Sequence, residues 1–286
     1  MSRQRTHPII LAHGIARFDV AWKDLLRLDN QDDPFLDAFH YFRGIRTMLM
    51  KHGFDVWHSS VPWAESVDRR AEQLRKNVRS VLERPGVTKV NIIAHSMGGL
   101  DARHMLFNDR EKGKIHRQVA SLTTIGTPHR GTSFADIGIK KQGGVIGLLK
   151  RLGLDVEGFR DLTREACARF NENREVMDFE AEIQKSFRIL AYTGVAKAKN
   201  VLQVLRKPYE IIAEQEGDND GLVSADSALW ERASECRIWK DADHLNELAW
   251  WDLEQAGTEG LFALTRRIHK EYLDIAKKLP VAGLSP

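Results

Sequence analysis

Cysteine is scarce in this chain: Cys167 and Cys236 are the only two among 286 residues. That argues against a disulfide framework, and the two thiols are expected to be reduced, as in a cytoplasmic protein. Long apolar runs are missing too. None approaches the roughly 20 residues a membrane-spanning helix requires. MSRQRTHP leads into a short apolar run with no signal-peptide pattern, so a cytoplasmic location is expected. Neither sign of charge dominates: Lys and Arg number 43, Asp and Glu 40, for a net charge of +3. The basic stretches (Lys140-Lys141, Arg266-Arg267, Lys277-Lys278) are short, which argues against a nucleic-acid partner, since such a protein concentrates Lys and Arg on one face. Internal repeats, linkers and low-complexity segments are lacking as well. What remains is a globular chain, 42% hydrophobic, of a length that fits one domain (1–286) with a sizeable core.

Within it, VNIIAHSMGG (90–99) carries the most information. Val90 to Ile93 reads as a buried strand, and a helix starts just past Ser96 and runs toward Phe107. A serine at a sharp strand-to-helix turn is a nucleophile elbow. The turn requires very small residues two before and two after the serine. Ala94 and Gly98 meet that requirement, with one methyl more than the strict Gly pattern.

A nucleophilic serine needs a base and a carboxylate that orients the base, and on this kind of turn they follow in the order acid, then His. YEIIAEQ (209–215) reads as a strand followed by the acidic turn GDNDG; CRIWK (236–240) reads as another strand, followed by DADHLNE with His244. Asp218, Asp220 and Asp226 all stand near the first strand end, and the residue pattern alone leaves the acid open among them. Asp241 and Asp243 flank His244 too closely in sequence to orient its ring. An oxyanion hole is supplied by PIILAHGIARFD (8–19), where a strand over Ile9–Leu11 gives way to His13-Gly14-Ile15. The glycine lets the backbone bring an N–H to the reacting carbonyl, and the N–H of Met97 is the second donor. His13 is read as a brace for that loop, and His129 as a hydrogen-bonded loop residue, not a base.

These segments resemble the bacterial triacylglycerol lipases of family I, the pseudomonad type. The likeness extends to YFRGIRTMLMKHGFDVWHSSV (41–61), KVNIIAHSMGGLDAR (89–103), SLTTIGTPHRGTSFAD (121–136), LTREACARFNE (162–172), NDGLVSADS (219–227) and DHLNELA (243–249). It implies an α/β-hydrolase fold and a catalytic triad of Ser96, Asp220 and His244, with Ile15 and Met97 as oxyanion donors. It also implies a structural calcium ion. The family's calcium ligands include an Asp two residues after the catalytic His and a Gln four further on, where this chain has Asn246 and Trp250. A further Asp about twenty residues before the catalytic Asp gives way to KAKNVLQV. Because calcium requires several anionic oxygens, the expectation is that no metal and no cofactor is held. An EF-hand-like reading of EGDNDG fails at its twelfth position, Ser227, where a Glu is required.

Alternating short strands and amphipathic helices imply a mostly parallel central sheet with helices on both faces. The clearest helix spans 65–83, with Val67, Ala71, Leu74, Val78, Val81 and Leu82 on one face. A closing helix spans 258–279, with Leu261, Leu264, Ile268 and Tyr272 inward. Residues 132–185 break the rhythm and read as a helical lid or cap insertion, Gly-punctuated and apolar, able to cover the site or touch a lipid surface. The seven tryptophans read mainly as core, with Trp250-Trp251 candidates for an acyl pocket. The expected activity is hydrolysis of a lipid ester. A short-chain carboxylesterase, a phospholipid acyl hydrolase or an acyltransferase would use the same residues. A non-catalytic scaffold would have no chemical need for all three.

Overall fold

The computed structural model describes residues 6–14, 37, 40–62, 65–140, 156–252, 255 and 260–282. Ile15, Trp22, Trp63 and the stretch 141–155 inside the expected insertion lie outside them.

Among the described residues six strands form one parallel sheet: β1 (Ile9–Ala12), β2 (Val56–His58), β3 (Val90–His95), β4 (Val119–Ile125), β5 (Arg188–Val195) and β6 (Glu235–Lys240), in the order β2-β1-β3-β4-β5-β6. Between them run α1 (Ile45–Lys51), α2 (Val67–Leu82), α3 (Met97–Asn108), α4 (Ser133–Lys140), α5 (Val156–Arg160), α6 (Arg164–Asn171), α7 (Arg174–Ile183) and α8 (Arg206–Gln215), with α9 (Leu261–Lys278) after β6.

Strand alternation sorts the core into two layers. Ile10, Ala12, Ile92, Ala94, Leu122, Ile189 and Ala191 face one way, onto α2, α3 and α7. Ile9, Leu11, Ile93, Ile125, Leu190 and Tyr192 face the other, onto α1 and α9. Both faces of a parallel sheet are covered, which is why the strands read as near-continuous apolar runs. A third apolar cluster, including Met97, Leu100, Phe134, Phe159, Leu205, Ile212 and Leu245, lies over the strands' C-terminal edge. Within 132–185, α7 packs its Phe179 and Ile183 into the first layer, while α4 and α5 contribute to the third cluster.

The expected strand at 209–215 is instead part of the helix α8. Leu205, Pro208 and Ile212 are buried at helical spacing, and Pro208 sits in the first turn, where its missing N–H leaves no hydrogen bond unmade. The strand that precedes the acidic turn is β5, RILAYTGV, with α8 between the two. Among the described residues no helix is long and apolar enough to cross a membrane.

The chain winds from β1 outward to β2, then returns to β3 on β1's other side. Strand order therefore reverses between β1 and β3, and ligand sites in open α/β sheets form at such a switch point, outside the carboxyl ends of the strands. Gly14 and Ser96 both stand there.

Candidate active site

Ser96 follows β3 directly with φ +56° and ψ −132°, a conformation that a non-glycine residue holds only under local constraint. Its N–H donates to Ile125 O at 2.9 Å, and Gly99 N–H donates to Ser96 O at 3.0 Å, so the serine is pinned between β4 and α3. The tightness explains Gly98: a Cβ there would lie 2.5 Å from Ala12 O and 2.8 Å from His13 O. Met97 is the first residue of α3 and is fully buried. The other expected oxyanion donor, Ile15, is outside the described residues. The loop leading to it is held on two sides. His13 Nδ1 bonds its neighbour Gly14 O at 2.8 Å, and Val61 N–H donates to His13 Nε2 at 3.3 Å, which is the bracing role expected of this histidine.

A buried charge pair holds the same loop from below. The Arg70 guanidinium on α2 donates to both carboxylate oxygens of Asp101 on α3, at 2.7 to 3.1 Å, and also to Pro62 O (2.7 Å) and His13 O (3.1 Å). Both side chains are essentially inaccessible. Burial pushes the Asp101 carboxyl up to about 6, while the charge and hydrogen bonds of Arg70 favour its anion.

His244 Nδ1–H donates to Asp220 Oδ2 at 2.7 Å. The backbone fixes both partners: His244 N–H donates to Asp220 O at 2.8 Å, while Leu222 N–H and Val223 N–H hold Asp220 Oδ1 at 2.8 and 2.7 Å, leaving Oδ2 for the imidazole. The ring of His244 lies 4.5 Å, centroid to centroid, from that of His95, the residue before Ser96. The other acids face elsewhere. Asp218 is exposed, Asp226 pairs with Arg130 at the surface (2.9 Å), and Asp241 pairs with Lys197. His129 is buried, bonded to Thr124 Oγ1 at 3.1 Å and stacked on Trp230, so it is a hydrogen-bonded loop residue.

Glu247, three residues after His244, was not anticipated. It is fully buried; its Oε1 accepts from Gly194 N–H at 2.5 Å, and its Oε2 pairs with His95 Nε2 at 2.9 Å and lies 3.6 Å from His244 Nδ1. Burial first, then the charge of Asp220, holds its carboxyl well above the usual range, while burial and then His244 hold His95 well below its usual value. Gly126, at φ +55°, faces this crowd: a Cβ there would lie 3.0 Å from His244 Nδ1 and 3.1 Å from Asp220 Oδ2. A His-x-x-Glu spacing in the DHLNE turn was the available sequence signal. His95, Glu247 and His244 are also near enough to one another to share a metal ion. All three are sealed in the interior, bonded to one another and to Asp220 and Gly194.

The residues where the resemblance implies calcium do not fit that ion. The Asn246 amide donates to Trp250 O (2.9 Å) and Gln255 Oε1 (3.1 Å), turning N–H groups into the space. Asp243 is the carboxylate present, and its oxygens are taken by Leu202 N–H, Gln255 Nε2–H, Leu245 N–H and Asn246 N–H, at 2.8 to 3.0 Å. Burial pushes its carboxyl up to about 7, against those four donors. At pH 8 these four donors favour its anion. Asp243→Asn turns an N–H₂ group toward them and is expected to lower urea stability there by about 1–3 kcal/mol; unchanged stability would mean that the carboxyl already carries a proton.

The cysteines are free: Cys167 is buried, with its thiol pushed up to about 12 by burial, and Cys236 is exposed. Trp230 and Trp239 are buried core residues, and Trp250 and Trp251 are half-buried against the α1–α9 layer.

A parallel sheet covered on both faces, with a strained serine at its switch point and an Asp–His pair in the loops at its C-terminal edge, defines an α/β-hydrolase fold. Residues 59–141 match the family described as PGAP1-like alpha/beta domain. The chain is 38% identical over 133 residues to a triacylglycerol lipase of Pseudarthrobacter phenanthrenivorans, covering 46% of this chain and 35% of that protein. It is also 38% identical over 133 residues to the triacylglycerol lipase of Burkholderia plantarii, covering 46% and 32%. These matches therefore span about a third of the length of those relatives. Triacylglycerol lipase 2 of Saccharomyces cerevisiae is 29% identical over 283 residues, with 85% of this chain and 80% of that protein covered. Among solved structures, a metagenomic carboxyl esterase, MGS0156, superposes with TM-score 0.66 at 15% identity over 96% of this chain and 77% of that one. The mature form of Bacillus licheniformis lipase BlEst2 gives 0.60 at 18% identity over 84% and 85%. These two likenesses speak to the fold.

Proposed function

We propose that this protein is a serine hydrolase of carboxylic esters that acts on lipid esters of the triacylglycerol type, with Ser96 as nucleophile, His244 as base and Asp220 as its orienting acid. The observation that carries this reading is the 2.7 Å bond from His244 to an Asp220 already fixed by two backbone N–H groups, beside a serine strained at the end of β3. Support for a lipid substrate comes from the apolar cluster over the strand edge and from the printed names of the bacterial and yeast relatives. We propose the finer kinship, with the family I lipases of the pseudomonad type, on the segments 89–103, 219–227 and 243–249.

In this mechanism Ser96 attacks the ester carbonyl while His244 Nε2 takes its proton. Asp220 keeps the imidazole in the Nδ1–H tautomer and stabilises its positive charge. The N–H groups of Met97 and Ile15 hold the oxyanion. His244 protonates the departing alcohol, then activates the water that frees the acid from the acyl-enzyme. Of residues 132–185, α7 belongs to the sheet's core layer through Phe179 and Ile183, and we assign the part before it the role of a lid or cap over this site, in contact with the acyl chain or a lipid surface.

The test is hydrolysis of p-nitrophenyl esters from acetate to palmitate, with and without a calcium chelator. The reading expects Ser96-dependent turnover that peaks at medium or long chains and is indifferent to the chelator. Turnover confined to acetate and butyrate would reassign the protein as a short-chain esterase. Loss on chelation would contradict the assignment of Asn246 and Asp243 to a metal-free network.

A further inference from the structure

A chain of buried hydrogen bonds runs behind the proposed base. Gly194 N–H meets Glu247 Oε1 at 2.5 Å, Glu247 Oε2 meets His95 Nε2 at 2.9 Å, and His95 Nδ1 meets Tyr41 Oη at 2.8 Å. Tyr41 in turn packs against the oxyanion loop: a Cβ on Gly14 would stand 2.8 Å from its hydroxyl, and its ring centroid is 5.6 Å from that of His13. The far side is closed by Trp250, whose Nε1–H donates to Tyr41 O at 3.0 Å. The loop bearing His244 and Glu247 is thereby joined to the end of β1 through the side chains of Glu247, His95 and Tyr41.

Resting on the assignment of Ser96, His244 and Asp220 above, we propose that Glu247 is a positioning residue for the base: through His95 and Tyr41 it ties the His244 loop to the oxyanion loop, and it does so as an uncharged acid, so that Asp220 alone claims the Nδ1 proton of His244. Two carboxylates compete for that nitrogen, at 2.7 Å (Asp220) and 3.6 Å (Glu247). Like charges this close inside a protein do not both persist; one carboxyl keeps its proton. Asp220 Oδ1 accepts two backbone N–H groups, and Glu247 accepts one. The extra donor holds the anion on Asp220 and the proton on Glu247. The titratable groups facing Glu247 are Asp220, His244, His95, Asp243 and Tyr272. None is a resident cation that would draw a second negative charge inward.

Proton order follows. Glu247 Oε2–H donates to His95 Nε2, so His95 carries its own proton on Nδ1 and donates it to Tyr41 Oη. No member of the chain is charged, and His244 Nε2 is left free to take the proton of Ser96. An ionised Glu247 would instead hold a proton on His244 and disable it over a wider acidic range.

The experiment is the pH profile of kcat/KM on p-nitrophenyl butyrate for wild type, Ser96→Ala, Glu247→Ala, Glu247→Gln and Tyr41→Phe, with thermal melts of each. Glu247→Ala is expected to lower kcat on the order of tenfold to a hundredfold, the scale of a misplaced catalytic group, with KM within about twofold. Glu247→Gln is expected to recover most of that loss, because its amide donates to His95 Nε2 and accepts from Gly194 N–H. Its acidic limb should coincide with that of wild type. An acidic limb displaced downward by about one unit or more in Glu247→Gln would show that Glu247 is an anion and overturn the proposal; so would a wild-type kcat in Glu247→Ala. If Glu247→Ala does not fold, the limb of Glu247→Gln and a fall in kcat at constant KM for Tyr41→Phe decide. Turnover persisting in Ser96→Ala would sink the underlying assignment. Loss in Ser96→Ala with none in Glu247→Ala would sink this proposal alone.

Discussion

Ser96→Ala is expected to lower kcat on p-nitrophenyl esters by at least about 10⁴-fold, approaching the 10⁶-fold seen when a serine nucleophile is removed elsewhere, with substrate binding nearly intact. The removed atom is one hydroxyl on a residue that contributes little to the core. Ser96 is held by its backbone, through Ile125 O and Gly99 N–H, and alanine keeps both bonds. The melting temperature should therefore stay where it is or rise, since relieving a catalytic residue commonly stabilises its protein. Loss of activity without loss of stability separates chemistry from folding at this position. A residual rate within tenfold of wild type would place the nucleophile elsewhere.

Arg70→Met carries the second large effect, on stability first. It leaves the Asp101 carboxylate buried with its partner gone, in a pair that is essentially inaccessible. Breaking one side of such a pair costs about 3–5 kcal/mol, a large part of the ~5–15 kcal/mol by which a domain is stable. The double variant Arg70→Met/Asp101→Leu removes the orphaned charge and should regain most of that loss in urea unfolding. It does not restore the donors to His13 O and Pro62 O. The double variant is thus expected to be folded yet slow, with kcat down on the order of tenfold to a hundredfold, because the strand end that delivers the oxyanion donor is no longer anchored. Full activity in a stable double variant would show that the pair is only structural.

Much of this arrangement is legible in the sequence. A strand that runs into a helix through Ala-His-Ser-Met-Gly leaves the backbone one sharp turn, and the structure has β3 and α3 there. The apolar stripe of 65–83 becomes α2, and the closing helix and the strand before His244 also form as read. Legibility fails where short apolar runs are ambiguous between periods. Tyr209, Ile211 and Ile212 have strand-favouring side chains, but the neighbours Leu205 and Pro208 supply a helical face that outweighs them. β5 takes the place in the topology that 209–215 was expected to fill, an apolar run of the same kind as those around it.

The polar supports of the site were harder to see. Arg70 looks like one more charge in DRRAEQLRKN, yet it lies three residues after Val67 and four before Leu74, on the buried stripe. Glu247 looks like a solvated acid in DHLNE, until a 3₁₀ turn over Asn246–Leu248 swings it inward beside His95. In both cases helical phase is in the sequence, but the buried partner that makes a charge tolerable is distant along the chain: Asp101 for Arg70, and Gly194 and His95 for Glu247. Such pairings belong to tertiary structure.

The measurement that bears most directly on the proposed chemistry is reaction with a fluorophosphonate, followed by mass mapping of the digested protein. A serine activated by His244 and Asp220 predicts one phosphonyl adduct, on the peptide containing Ser96, absent in Ser96→Ala and formed far more slowly in His244→Ala. No adduct on wild type, or one that persists in Ser96→Ala, would contradict it.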